Sequence, residues 1–342
     1  MEIQQNIQLR DFNTFWVPSV AQEFVVIKNI EDIRKLIDMW AFVNHKFYVL
    51  WMWANTVFVW DFDWLIIKNE IVGREILKQD DDEILIRVGA GECWYEFVEH
   101  MAKDWFVGME NLAYIPSSIW STAVQNIGAY GSEARNVIDQ VEWIWVESWE
   151  TQVFQNSECE FGYRESIFKN KLSDKFIITH IVYRLKKYKK WYQFNTEYAW
   201  ISQKIAELGL DLDSLTPSDF VNIITQIRKT KLPEWKEIWT AWSFFKNPII
   251  SVSDREDLSA QYPELKWFEV KDWIKLSAWQ LIDMCGFKGK SDWKVWTYKS
   301  HALILVNEWW ANGQDVLDFS SQIQNAVQQK FGVFLEPEAI FK

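Results

Sequence analysis

The residues best suited to chemistry in this chain are a serine, an arginine and a pair of glutamates, each set among apolar neighbours. Ser243 lies in Ala241-Trp242-Ser243-Phe244-Phe245-Lys246-Asn247-Pro248. A hydroxyl in so apolar a setting can donate a proton, although a hydrogen-bonded core serine is the commoner use. No GxSxG surrounds it, so the pattern is not that of a hydrolase nucleophile. Arg164 follows Tyr163 in FGYRESIFK, residues 161–169, and a guanidinium among aromatics binds a carboxylate bidentately. Spacing alone favours a plainer reading, a surface arginine paired with Glu165. Glu336 and Glu338 in the C-terminal FLEPEAIFK would share one side of a strand. Acids so placed are candidates for a raised pKa or for pairing with an arginine; exposed strand glutamates are the alternative.

Three further segments are suited to holding a ligand. Residues 115–133, IPSSIWSTAVQNIGAYGSE, are rich in small side chains, among them Ser117, Ser118, Ser121, Gly128 and Ala129, with the amides Gln125 and Asn126 inside. Such a run lets backbone approach a large planar or phosphorylated ligand; composition alone fits a plain loop equally well. Leu50-Trp51-Met52-Trp53-Ala54-Asn55 joins two strand-like runs. With glycine at 51 and 53 its bare N–H groups would cradle a pyrophosphate, whereas two indoles fill that space. Arg228, Lys229 and Lys231 form a basic cluster in an acidic chain, suited to a diphosphate or, more commonly, to a solvated helix end.

The 342 residues carry a net charge of -12, with 49% hydrophobic and 25% charged residues. That is the balance of a folded globular protein, and its acidic sign argues against nucleic-acid binding. Cys93, Cys159 and Cys285 are far apart, and the four histidines show no clustered spacing. Neither a disulfide framework nor a metal centre is expected. The N-terminus lacks the apolar core of a signal peptide, and residues 47–67 are interrupted by Asn55, Thr56, Asp61 and Asp63, too polar for a bilayer span. The expectation is a cytoplasmic monomer acting on a small molecule.

To position these groups the chain needs an α+β fold in three parts. Ile33, Leu36, Ile37 and Trp40 recur at helical spacing within 31–43, and strand-type runs follow at Phe47–Leu50, Thr56–Val59 and Leu65–Lys68. A strand at Ile84–Val88 leads through Gly89-Ala90-Gly91 into a helix from Cys93 to Lys103. Alternation over 141–186, ending in Phe176–Leu185, predicts a β-rich part. In the polar connection 196–230, Thr216-Pro217-Ser218-Asp219 starts a helix, with threonine capping and proline in the first turn. Helices near 254–261, 276–284 and 314–330 and strands near 244–250, 301–307, Val333–Leu335 and Ala339–Phe341 complete the chain.

Twenty-four tryptophans stand against twelve glycines, and ordinary glycine usage, about 7%, is roughly double what this chain has. Asp63-Trp64, Asp104-Trp105, Asp272-Trp273 and Asp292-Trp293 take the place of Asp-Gly, a standard turn pair. The codon UGA is read as Trp in some genetic codes and as Gly in others, and translation under the wrong one makes this pattern. Many of these tryptophans are therefore expected to be glycines in native protein; the alternative is a genuinely Trp-rich chain.

In order along the chain, Gln125-Asn126-Ile127-Gly128-Ala129-Tyr130-Gly131, FGYRESIFK, Ser243-Phe244-Phe245-Lys246-Asn247-Pro248 and Leu335-Glu336-Pro337-Glu338 resemble the UDP-N-acetylenolpyruvoylglucosamine reductase (MurB) family. The resemblance runs from Asn13-Thr14-Phe15 to Phe341, and the FGYR segment with the total length resembles the family's longer form. It implies an FAD-binding fold of the vanillyl-alcohol-oxidase/p-cresol-methylhydroxylase type plus a MurB-like substrate domain. The parts would be FAD subdomains at 1–75 (joined by 332–342) and 76–210, and a substrate domain at 211–331.

The same resemblance implies FAD as cofactor, NADPH as reductant, and hydride transfer from flavin N5 to C3 of the enolpyruvyl ether of UDP-N-acetylglucosamine. By motif match Ser243 protonates C2, and Arg164 and Glu338 flank the substrate carboxylate. Tyr163, Tyr198, Lys231 and Asn247 would hold the substrate, the last three at its uridine diphosphate. FAD would lie against Trp51, Met52, Trp53, Ala54 and Asn55, and against Ser117, Ser118, Ser121, Gln125, Asn126, Gly128 and Ala129. Trp94 matches a family aromatic, whereas Trp16, Trp51, Trp53, Trp239, Trp242, Trp279 and Trp296 stand at family glycines. If those indoles are real, the alternative is a flavin-free, non-catalytic ligand-binding protein of the same fold.

Overall fold

The computed structural model describes the whole chain except residues 40–45, 51–54, 147–149, 174, 235–236, 242, 271–272 and 309. It forms two compact units, the first from Met1–Ile7, Ala21–Trp53 and Asp63–Thr230, the second from Gln8–Val20, Ala54–Phe62 and Lys231–Lys342. Of the three parts expected from sequence, 76–210 lies within the first unit, while 1–75 and 211–331 are each divided between the two.

In the first unit, Gln4–Gln8, Val20–Ile27, Phe62–Asn69 and Phe47–Leu50 lie side by side in that order. The last two are parallel, with Phe47 opposite Leu65. Helix α1, Ile30–Met39, buries Ile33, Leu36 and Ile37, the stripe that a 3.6-residue repeat places on one face. A larger sheet runs Thr151–Gln155, Ile138–Trp145, Phe176–Lys187, Glu83–Gly89, Arg74–Gln79, with Phe106–Val107 beside the end of the long strand. Phe176–Lys187 is central, and seven of its first eight residues are buried, which explains its near-continuous apolar run.

Helix α2, Trp94–Lys103, packs onto that strand, with the Trp94 and Phe97 rings 5.7 and 5.2 Å from the Tyr183 ring. Helix α3, Ile119–Gln125, is buried at every position. The centre of the small-residue run is thus a short helix, held on the sheet in part by the Trp120 ring stacked 5.5 Å from that of Phe176. Thr122 Oγ1 donates to the Ile119 carbonyl at 2.7 Å and so accepts from the Tyr183 hydroxyl at 2.6 Å. Helices α4, Ala199–Glu207, and α5, Pro217–Lys231, fill the polar connection. The start of α5 is as expected: the Thr216 hydroxyl accepts from the Asp219 N–H at 3.2 Å.

In the second unit, one three-stranded sheet joins Thr240–Ala241, Leu305–Asn307 and Val295–Thr297, and another joins Ile249–Ile250, Trp273–Leu276 and Trp267–Val270. Helices α6, Val252–Gln261, α7, Ala278–Met284, and α8, Gly313–Phe331, surround them. Helix α8 begins with an Asn312/Asp315 capping box, which satisfies two otherwise orphaned N–H groups. Its Val316, Phe319, Ile323 and Val327 enter one core with Phe244 and Phe245, each contributing about 1.5–3 kcal/mol of burial. At the end of the chain Ile340–Phe341 pairs parallel with Thr56–Val57. The strand expected over Val333–Leu335 does not form; the Leu335 carbonyl instead accepts from the Gln324 side chain at 2.8 Å. Among the described residues no helix is long and apolar enough to cross a membrane.

Candidate functional site

In the second unit, the chain after Ser243 runs antiparallel to Glu336-Pro337-Glu338. Phe245 bridges Pro337, the Lys246 N–H donates to the Glu336 carbonyl at 2.8 Å, and the Glu338 N–H donates to the Phe244 carbonyl at 2.7 Å. Buried Phe244 and Phe245 anchor this register in the core. Ser243 and Glu338, remote in sequence, are brought to one end of it. The Ser243 carbonyl also accepts from Asn55 Nδ2 at 3.4 Å.

The two glutamates do not share a strand face, because the chain bends at 338–339 and the strand begins only at Ile340. Glu336 pairs with a lysine: Lys246 Nζ lies 2.5 Å from its carboxylate, with only 8% of the lysine side chain exposed. Asn247 Oδ1 accepts from the Ala278 N–H at 2.9 Å, which fixes the start of α7 and leaves its amide donors outside that bond. Lys231 closes α5, and burial pushes its ammonium down to about 8. His301 is pushed down to about 4 by burial and then by Lys231 and Lys288.

In the first unit, α3 ends on Asn126 in the left-handed region, φ 42°. Its Nδ2 donates to Glu133 at 3.0 Å and to the Gly162 carbonyl at 2.8 Å, and its Oδ1 accepts from the Arg135 N–H at 3.0 Å. The Asn126 side chain thus ties neighbouring loops together. Arg164, at φ 58°, donates from Nη2 to the Gly128 carbonyl at 2.7 Å. A Cβ at Gly128 would stand 3.0 Å from the Ser132 carbonyl, 3.2 Å from Glu133 Cγ and 3.3 Å from Arg164 Nη1, so the close approach of all three favours glycine there. A left-handed arginine costs about 1–3 kcal/mol and persists only where its surroundings impose it, as functional sites do. Glu165, its suggested surface partner, is engaged by Lys169 at 3.6 Å and Asn170 at 2.8 Å. Tyr163 lies with its ring 5.9 Å from the Arg164 guanidinium carbon.

Arg228 proves to be a buried member of the basic cluster. Its Nε donates to the Tyr114 carbonyl at 3.1 Å, and burial lowers its pKa, while a hydrogen bond to Tyr130 favours the charge. The Tyr130 ring meets that of Tyr198, a predicted substrate residue, edge-on at 5.8 Å. A helical projection carries the signal for Arg228, because Val221, Ile224 and Arg228 recur on the buried stripe of α5.

Of the residues expected to line FAD, Trp51, Met52, Trp53 and Ala54 lie outside the described residues. Ser117 and Ser121 hydroxyls bond each other, and Ser121 also donates to the Ser118 carbonyl at 2.7 Å. Gln125 is buried at the end of α3, and Gly128 and Ala129 pair with Glu133 and Ser132. Two polar atoms are different. Ser118 Oγ in the first unit and Asn55 Oδ1 in the second are buried without a hydrogen-bond partner among the described residues. Native proteins rarely leave such atoms unsatisfied, so both fit a polar ligand such as FAD.

Comparison with known proteins identifies the family. The family model described as FAD binding domain matches residues 21–146. The one described as UDP-N-acetylenolpyruvoylglucosamine reductase, C-terminal domain, matches 233–341. The UDP-N-acetylenolpyruvoylglucosamine reductase of Flavobacterium johnsoniae is 39% identical over 339 residues, 99% of each chain. That of Bacteroides fragilis is 33% identical over 341 residues, 99% of this chain and 100% of its own. The crystal structure of UDP-N-acetylenolpyruvylglucosamine reductase (MurB) from Thermus caldophilus shares the fold, with a TM-score of 0.67 at 20% identity over 100% of this chain and 99% of that one. The α+β architecture is accordingly an FAD-binding fold joined to a MurB-type C-terminal domain. With such identity running from end to end, the chain belongs to the UDP-N-acetylenolpyruvoylglucosamine reductase family.

Proposed function

We propose that this chain is a flavoenzyme that uses NADPH to reduce UDP-N-acetylglucosamine enolpyruvate to UDP-N-acetylmuramate for peptidoglycan synthesis. The observation that carries this reading is identity to named reductases along the full length of both chains. The unsatisfied Ser118 and Asn55 atoms agree with a bound cofactor. The flavin-free alternative is disfavoured by the match of residues 21–146 to an FAD-binding domain. Ser117, Ser118, Ser121, Gln125, Asn126, Gly128 and Ala129 would hold FAD, which when bound would supply the hydride chemistry for C3 of the enolpyruvyl group.

The chain's own residues manage the accompanying charge and proton. As C3 gains hydride, negative charge spreads from C2 onto the substrate carboxylate, and donors fixed in advance lower the barrier. Arg164 is assigned that role; its bond to the Gly128 carbonyl holds the guanidinium plane before substrate arrives. Glu338 is assigned to the same carboxylate. Ser243 gives its hydroxyl proton to C2, which completes addition of hydride and proton across the double bond. Lys231, Asn247 and Tyr198 hold the uridine diphosphate, with Tyr163 a further substrate contact. The enzyme works as a cytoplasmic monomer on this small molecule.

The test is NADPH oxidation that depends on the enolpyruvyl ether and yields a product heavier by one hydrogen molecule. Oxidation at the same rate with no ether present, or recovery of the ether unchanged, would refute the assignment.

A further inference from the structure

Tryptophan supplies three of the nine non-glycine residues in the left-handed region among the described residues: Trp16 at φ 54°, Trp105 at 64° and Trp293 at 84°. In that region the Cβ of an L-residue crowds the following carbonyl, and glycine alone escapes the penalty. Two of the other six are asparagines, which tolerate it; Arg164 and Tyr130 lie in the segments assigned to the site, and Glu160 and Tyr114 immediately precede those segments. The three tryptophans have neither excuse.

Helix ends make the comparison sharp. Helices α4, α7 and α8 are followed by Gly209, Gly286 and Gly332 at φ 64°, 76° and 68°. Their N–H groups bond back to Ala206, Asp283 and Gln328 carbonyls at 3.0, 2.8 and 2.9 Å, a glycine-terminated stop. Helix α2 ends in the same way: the Trp105 N–H bonds the Ala102 carbonyl at 3.1 Å with φ 64°. Yet the residue is an indole, 47% exposed, so burial does not offset the strain. Trp293 sits in a tight turn where the Asp292 carboxylate accepts from the Val295 N–H at 3.0 Å. Its indole is 93% exposed. Trp16 follows a turn closed on the Asn13 carbonyl at 3.1 Å, and its indole bonds the exposed Asp11 at 3.1 Å.

The opposite case is Trp94, wholly buried, with Nε1 donating to the Leu112 carbonyl at 3.0 Å. Trp64 and Trp273 follow aspartates too, but they lie in strands, where the backbone does not ask for glycine. From this division we infer that positions 16, 105 and 293 are glycine in the protein made by its own host, where UGA is a glycine codon, whereas Trp94 is tryptophan. The backbone thus reaches at positions 16 and 94 the same division that the family resemblance implies, extends it to 105 and 293, and leaves Trp64 and Trp273 outside it.

Peptide mass spectrometry on protein purified from the native host, covering positions 16, 94, 105 and 293, decides the matter. Glycine at 16, 105 and 293 with tryptophan at 94 is the expected result; tryptophan at the first three overturns it. In the recombinant chain as written, Trp105→Gly and Trp293→Gly should each raise the urea midpoint and Trp94→Gly should lower it. A midpoint that falls with Trp105→Gly contradicts the inference. If the chain as written does not fold, the native peptide masses decide alone.

Discussion

Glu338 and Phe244 share a backbone hydrogen bond of 2.7 Å, and through it an acid near the end of the chain is registered on the segment that carries Ser243. Because the bond is made by main-chain atoms, side chains at 243 and 338 can be changed without releasing it. The roles assigned to both can therefore be tested in a protein that still folds.

Ser243→Ala should leave flavin reduction by NADPH at its normal rate, because no proton need reach C2 in that half-reaction. The second half-reaction should slow by about 10²–10⁴-fold, the usual worth of a positioned acid. Rapid-mixing absorbance separates the two halves. An equal loss in both would remove Ser243 from its role.

Arg164→Lys should lower kcat by about 10–100-fold, since a charge-assisted hydrogen bond is worth about 1.5–3 kcal/mol and an ammonium cannot reproduce the planar fork. The bond to the Gly128 carbonyl goes with it. Steady-state kinetics at unchanged flavin content give the comparison, and near-normal turnover would exclude Arg164 from the site.

The Thr122–Tyr183 pair gives a stability prediction. Thr122→Val leaves the fully buried Tyr183 hydroxyl without its 2.6 Å acceptor, at a cost of about 1–3 kcal/mol. Tyr183→Phe should cost less, because Thr122 keeps its bond to the Ile119 carbonyl. Adding Tyr183→Phe to Thr122→Val should then restore part of the loss. Urea denaturation of the three variants measures this order, and a reversed order would show that the hydroxyl pair is misassigned.

Lys231 predicts a pH dependence. Burial holds its ammonium at about 8, so its charge is present below that pH and is lost as pH rises through it. Attraction for the uridine diphosphate should fall accordingly, raising the substrate KM between pH 7 and 9. In Lys231→Arg, whose guanidinium stays charged, KM should be flat over that range. A flat profile in the unsubstituted enzyme would take Lys231 out of the diphosphate site.

Periodicity made much of this fold legible. Helices α1, α2 and α8 and the long strand Phe176–Lys187 follow from the repeat of apolar residues. The strand Arg74–Gln79 was not legible, because it is an edge strand exposed at all six positions and so carries no alternation. The register of Phe244 on Glu338, which brings Ser243 and Glu338 to one end, is a tertiary feature that no local pattern announces, although the motifs themselves marked both residues. Arg228 was hidden for the opposite reason: grouped by charge with Lys229 and Lys231, it looked solvated, while its helical phase placed it on the buried side. Trp105 and Trp64 look alike after aspartate, and only backbone angles separate a helix stop from a strand.

The central claim is that one flavin carries electrons from NADPH to the enol ether, and visible absorbance tests it most directly. Purified protein, loaded with FAD, should show a flavin band that bleaches with NADPH and returns when UDP-N-acetylglucosamine enolpyruvate is added without oxygen. A folded, colourless protein that takes up no FAD, or a bleached band that the ether fails to restore, would contradict it.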